Sequence, residues 1–231
     1  GTEVTARHVI SSIGAPETER LIAGEVPPGC VATPAGRLSF VETITVLNRE
    51  PAAFGWGDDT IVFFNDSERF SYESPQAEVD TRSGVICLPN NFDYGPGKSL
   101  PEGLLRVTCL ARPDVWSARP EEEYRSAKQR WFTAVQESAR RFLPASKGEV
   151  SVDDAVVATD MFTPRTITKF TGHLGGAVYG SPVKNRRGRT ALSNLYLCGT
   201  DQGFLGIVGA MLSGISMANL HVLQGDSTAA R

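Results

Sequence analysis

Between Cys198 and Ala210 the chain carries four glycines and one acid, as Gly199-Thr200-Asp201-Gln202-Gly203 followed by Gly206-Ile207-Val208-Gly209-Ala210. That spacing exposes backbone N–H groups at the start of a helix, beside the positive end of its dipole, where something anionic or electron-rich can dock. A cofactor edge is a partner of that kind. Two other readings fit the same residues. Gly203 to Leu223 holds no charged residue and is just long enough for a membrane span, which takes roughly 20 apolar residues. Against a span, Ser213, Ser216, Asn219 and His221 interrupt the run and no Lys/Arg cluster follows it. The third reading is a core helix whose glycines permit close packing against a strand.

The elements needed to position these residues are legible nearby. Leu195-Tyr196-Leu197-Cys198 reads as a buried strand that breaks at Gly199, with a helix starting at about Ile207. At the other end, Val4 to Ile13 reads as a strand, Gly14-Ala15-Pro16 as a turn, and Glu17 to Ala23 as a short helix with acids in its first turn. From Ala35 to Trp116 the pattern changes to alternating strands. Leu38 to Val46, Ile61 to Phe64, Gly84 to Leu88 and Leu105 to Leu110 are separated by Pro/Gly/Asn/Asp clusters, which predicts a mainly antiparallel sheet with one face covered. Pro120 to Phe142 is the clearest helix. Three glutamates follow its proline, Arg140 and Arg141 sit at its far end, and Tyr124, Ala127, Trp131, Val135 and Phe142 form one apolar stripe suited to a core. A strand-like Val150 to Thr159 then leads to a segment with four glycines between 172 and 180, which bring backbone close to a ligand or to another strand.

Composition narrows the function classes. The chain has 231 residues, 41% apolar and 21% charged, with net charge -3, a balance that does not suggest nucleic acid as a partner. Cys30, Cys87, Cys109 and Cys198 are scattered without a C-x-x-C and read as reduced core residues of a cytosolic protein. His8, His173 and His221 form no metal-ligand pattern, so no metal site is expected. Gly95-Pro96-Gly97-Lys98-Ser99 looks like a phosphate loop but has Phe92 where the first glycine belongs, so it reads as a surface turn.

The 199–210 segment closely resembles the C-terminal flavin-binding signature of the phytoene desaturase, carotenoid isomerase and retinol saturase superfamily of FAD-dependent oxidoreductases, and most closely the retinol saturase branch. Thr163-Pro164-Arg165 and Gly175-Gly176-Ala177-Val178-Tyr179-Gly180 are similar to two further superfamily elements in the same order. The resemblance implies an α+β fold: a β-rich substrate domain plus the C-terminal part of a Rossmann-like FAD-binding domain lacking its N-terminal βαβ unit. It divides the chain into 1–30 and 161–231 of the FAD-binding domain and a substrate domain at 31–160 with the long helix 120–142. The opening strand then matches the one that returns from the substrate domain, and the dinucleotide fingerprint G-x-G-x-x-G occurs nowhere. A truncated flavoprotein, covering the later half of the usual enzyme, is therefore expected.

In site terms the resemblance assigns FAD binding to Gly199, Thr200, Asp201, Gly206, Ile207, Val208, Gly209 and Ala210, and a substrate pocket to Gly176, Ala177 and Tyr179. Asp201 matches the acid that meets the ribityl or diphosphate part of FAD, the latter only through a donor or water, because both are anions. His173 is the histidine nearest the pocket and the candidate for proton traffic, with a local turn cap as its structural alternative. The expected chemistry is hydride exchange between flavin and a hydrophobic polyene such as a carotenoid or retinoid, in a cytoplasmic protein with possible membrane-surface contact. Two alternatives stay open. One is a flavin amine oxidase-like enzyme, although Gly-Thr-Asp differs from the Gly-Glu of that family. The other is a non-catalytic half whose partner chain carries the dinucleotide-binding motif.

Overall fold

The computed structural model describes residues 1–22, 24, 32–146 and 151–224; Cys30, Ala23 and Val150 lie outside that range. The chain is mixed α+β and divides into two compact units, Gly1–Arg37 with Thr168–Arg231, and Leu38–Ile167.

The continuous unit is a five-stranded antiparallel sheet. Its strands are β2 (Ser39–Leu47), β3 (Ile61–Asn65), β4 (Ser83–Cys87), β5 (Gly103–Ala111) and β6 (Val156–Phe162), in the order β3-β4-β5-β2-β6. β2 and β5 pair along their full length, from Ser39 opposite Ala111 to Leu47 opposite Gly103. Both alternate strictly, and the buried face of β2 is Ser39, Val41, Thr43, Thr45 and Leu47. Phe40, Ile44 and Val46 take the half-covered face instead, so hydroxyls point inward. Thr43 resolves its own burial: its Oγ1 accepts from Gln136 Nε2 at 2.7 Å and donates to the Val107 carbonyl at 3.3 Å.

Helix α3 (Glu121–Arg140) packs on β2 and β5. Its glutamates and terminal arginine complement the dipole as their order suggests. Ala127 and Val135 of the expected stripe are buried, while Tyr124, Trp131 and Phe142 lie partly covered against the same core. The short helix α2 (Pro113–Ser117) delivers Trp116 into that core, fully buried, edge-on to Tyr124 with ring centroids 6.0 Å apart. β6 starts later than expected because Asp153–Ala155 forms a 3-10 turn first.

The discontinuous unit is built around a parallel pair, β1 (Val9–Ser11) with β7 (Leu195–Leu197). The strand expected over Val4 to Ile13 shortens to three residues because β7 supplies only three partners. Helix α1 (Ala15–Leu21) follows β1, and α5 (Gly206–Ala218) follows β7 and runs on as a π-helical turn, Asn219–Leu223. Between these lies α4 (Pro164–Thr171), which crosses the division in sequence. Sequence patterning did not indicate it. Parallel strands usually sit in larger sheets covered on both faces.

Candidate functional site

The strand, turn and helix at 195–218 form as their residues dictate. After β7 the chain needs positive φ at Gly199 (φ 91), makes a 3-10 turn at Thr200–Gln202, and needs positive φ again at Gly203 (φ 107). Ser213, fully buried on α5, reaches back to this turn. Its Oγ accepts from Gly199 N at 2.6 Å and donates to Gln202 Oε1, whose amide in turn donates to the Arg186 carbonyl at 2.9 Å. The turn is therefore fastened to the helix that follows it.

Helix α5 opens at Gly206, and Leu205 at the capping position offers no side-chain acceptor to the first-turn N–H groups. A Cβ at Gly206 would meet no described atom within 4 Å. Ile207 is 84% exposed and Val208 70%, and Ala210 is exposed as well. Gly209 lies against Phe204, whose carbonyl carbon would stand 3.1 Å from an added Cβ. Among the described residues the helix start carries no acid in its first turn and no side-chain cap on its positive dipole end.

Asp201 is placed differently. It is 1% exposed, with Oδ2 accepting from Ala15 N and Oδ1 from Ser181 N, both at 2.6 Å. The carboxylate thus caps the first turn of α1 and staples three distant segments together. Each oxygen holds one backbone N–H and the side chain is buried, so Asp201 braces the turn in this structure. Thr200 contributes its carbonyl to the turn, accepting from Gly203 N at 3.0 Å.

The glycine-rich segment lies around this staple. Gly180 (φ 67) sits so close to Asp201 that a Cβ would approach Oδ1 to 2.4 Å. Gly176 and Ala177 are buried, Ala177 Cβ being 2.7 Å from where a Cβ on Gly36 would stand. Tyr179 is half-buried and its carbonyl accepts from Lys184 Nζ at 2.6 Å. Burial pushes the Lys184 ammonium below its ordinary pKa, with the negative charge of Asp201 acting against that shift. His173 is half-buried, 3.5 Å through Nδ1 from Glu17 Oε1, while its backbone N–H donates to Thr171 Oγ1 at 3.3 Å. The same Glu17 oxygen accepts from Leu174 N at 2.8 Å.

The fold therefore gathers Ala15, Ser181, Gly180 and Asp201 at one junction and Glu17, His173 and Leu174 at another, while Ile207 and Val208 in the first turn of α5 are exposed. Glu17, Ser181, Lys184 and Ser213 are the residues that sequence reasoning missed. Ser213 alone had a local signal, as a small polar residue inside an apolar run. His221, on the same helix, stacks on Tyr196 with centroids 4.1 Å apart and engages the Arg187 carbonyl at 2.6 Å. Among the described residues no three of His, Cys, Asp or Glu cluster as a metal site. Cys87, Cys109 and Cys198 are free, and burial, with Asp80 adding to it, pushes the Cys109 thiol up to about 12.

Among the described residues one helix, Gly206–Leu223, is long and apolar enough to cross a membrane by length and composition. No family model matches the chain, and no curated protein matches it.

Proposed function

We propose that the chain is the later portion of an FAD-dependent oxidoreductase acting on a hydrophobic polyene of carotenoid or retinoid type. The observation that carries this reading is the helix start at Gly206, glycine-rich and uncapped, directly behind a parallel strand and a fastened turn. A flat ring edge that gains negative charge on reduction suits such a place, because fixed N–H dipoles stabilise that charge without reorganising. FAD, when bound, supplies the hydride chemistry at an alkene carbon of the substrate. In this assignment Gly206, Ile207, Val208, Gly209 and Ala210 meet the cofactor. Gly199, Thr200 and Asp201 hold the turn, with Asp201 a positioning residue. Gly176, Ala177 and Tyr179 shape the substrate side, and His173, steadied by Glu17, is the group for proton movement.

A second reading is favoured by a separate feature. The parallel sheet has two short strands, and α5 turns Ile207, Val208, Met211, Leu212 and Ile215 outward, a contiguous apolar face of the kind that marks an interaction surface. That face suits a polypeptide carrying the dinucleotide-binding βαβ unit. It suits a lipid surface less well, because interfacial helices carry a strongly charged opposite face and α5 has none.

The test is the visible spectrum of the chain after incubation with FAD and removal of free cofactor, in the wild type and in Ile207→Asp. A carboxylate in the first turn favours the helix through the dipole but repels an electron-rich ring, so folding and binding separate. Retained flavin colour in the wild type and its loss in Ile207→Asp are expected. Equal colour in both would remove the helix start from the site. A colourless wild type that colours only on mixing with a G-x-G-x-x-G polypeptide would select the second reading.

A further inference from the structure

The loop Lys184 to Arg189 carries four cations in six residues, Lys184, Arg186, Arg187 and Arg189, and lines an open depression of ≈ 590 Å³ with Ala15 and Thr33. None of the four stands in an ion pair with a described residue, although Lys184 Nζ donates to the Tyr179 carbonyl, whereas in Leu38–Ile167 nine arginines and Lys128 do. Two described carboxylates nearby hold other donors. Asp201 accepts from Ala15 N and Ser181 N, and Glu19 accepts from Thr33 N at 2.7 Å and from the Thr33 hydroxyl.

What separates this loop from an ordinary solvated turn is that its backbone is pinned at Asn185, Arg186, Arg187 and Gly188 by residues outside it, and at Arg189 by Asn185. The Arg186 carbonyl accepts from Gln202 Nε2 at 2.9 Å, the Arg187 carbonyl meets His221 Nε2 at 2.6 Å, and the Arg189 carbonyl accepts from Asn185 Nδ2 at 2.6 Å. Asn185 N donates to the Asp201 carbonyl at 2.7 Å, and Leu197 N to the Gly188 carbonyl at 2.6 Å. Gly188 (φ 62) makes the turn possible, since a Cβ there would stand 2.3 Å from the Leu197 carbonyl oxygen and 2.5 Å from Met217 Sδ. With the backbone fixed in this way the arginine side chains are exposed, and the loop's order lowers the entropy lost on gripping a ligand.

We infer that the pinned loop Lys184–Arg189 is a binding site for a phosphate-bearing anion, with the span and charge of a diphosphate. Arginine forks match phosphate oxygens bidentately, and several such forks on one short loop suit a multiply charged group better than a single carboxylate. The depression is lined by residues of the discontinuous unit alone. The exposed apolar residues of α5 lie on the side of that helix opposite Ser213, Met217 and His221, so the loop and the apolar face are separate surfaces. The inference stands whether or not the flavin reading holds.

The experiment is calorimetric titration of the full chain with inorganic diphosphate and with inorganic phosphate. Diphosphate should bind the more tightly. The Arg186→Gln, Arg187→Gln, Arg189→Gln triple should weaken it at least about 30-fold, through loss of charged hydrogen bonds. The matching Arg→Lys triple keeps the charge but loses the fork, and should fall between the two. An Arg7→Gln, Arg20→Gln, Lys169→Gln triple, with the same change of net charge, should bind like wild type. Phosphatidic acid vesicles in a neutral carrier distinguish the sources: binding that diphosphate competes away assigns the loop a lipid phosphate, and no vesicle binding assigns it a soluble one. Equal weak binding of both anions that none of the loop substitutions changes would overturn the inference. So would tight binding of an oligonucleotide by a chain that ignores diphosphate.

Discussion

In the antiparallel unit Glu78 gathers the Arg119 and Arg130 guanidinium groups and the Trp131 indole, and its own carbonyl accepts from Trp116 Nε1 at 3.3 Å. In the parallel unit the nearest counterpart, Asp201, gathers backbone N–H groups, while the arginines of the adjoining loop are exposed and its Lys184 donates to the Tyr179 carbonyl. The first carboxylate closes a network of side chains and the second holds chain segments in place. Both units expose some apolar side chains, Phe63 and Val157 among them in the antiparallel one. Trp116, Leu105 and Val107 disappear into the sheet core, whereas Ile207, Val208 and Met211 stand out from α5. The antiparallel unit, with its side-chain ion pairs, is in this sense a scaffold, whereas the other leaves a helix start, an apolar face and a cationic loop exposed.

The largest expected effect falls on the scaffold. Trp116→Ala removes a fully buried ring and should cost about 3–5 kcal/mol, read as a lowered midpoint in urea unfolding. Asp201→Ala comes next, at about 3 kcal/mol, because two buried N–H groups lose a charged acceptor. Its damage should be local: faster amide exchange at Ala15 and Ser181, with the strands β2 and β5 as protected as before.

The pH dependence of the scaffold sharpens the contrast. Burial at Glu78 opposes ionisation, but the donors Trp131 and Arg119 and the charges of Arg119 and Arg130 outweigh it and hold the carboxyl below its usual range. A group that ionises more readily folded than unfolded contributes stability that is complete above the unfolded carboxylate range. That contribution is lost as pH falls through it toward the folded value. Urea midpoints of wild type and Glu78→Gln should therefore differ at pH 7 and converge in acid. The smallest effect is expected at Ile215→Ser on the outer face of α5, within about 0.5 kcal/mol in thermal unfolding, as for surface positions generally.

Much of the scaffold was legible in the sequence because its signals are local. Pro120 with three glutamates marked the start of α3, and alternation between turn clusters located β2 to β5. The inward face of β2 was not legible, since Thr43 is buried through Gln136, which lies far along the chain on another element. α4 escaped because Thr166, Ile167 and Thr168 are weak helix formers, although Thr163 Oγ1 accepts from Thr166 N at 3.3 Å as a cap would. In the candidate site the glycines of the turn and the start of α5 were readable from spacing alone. The role of Asp201 was not, because one of its donors lies 186 residues away. The loop Lys184–Arg189 was not singled out in the sequence, because Gln202, His221 and Leu197, which fix its backbone, lie outside it.

Hydrogen–deuterium exchange of the full chain with and without FAD tests the division of labour most directly. The account predicts that FAD slows exchange within 199–212 and leaves β2, β5 and α3 unchanged. Protection confined to Leu38–Ile167, or no change anywhere on saturation with FAD, would contradict it.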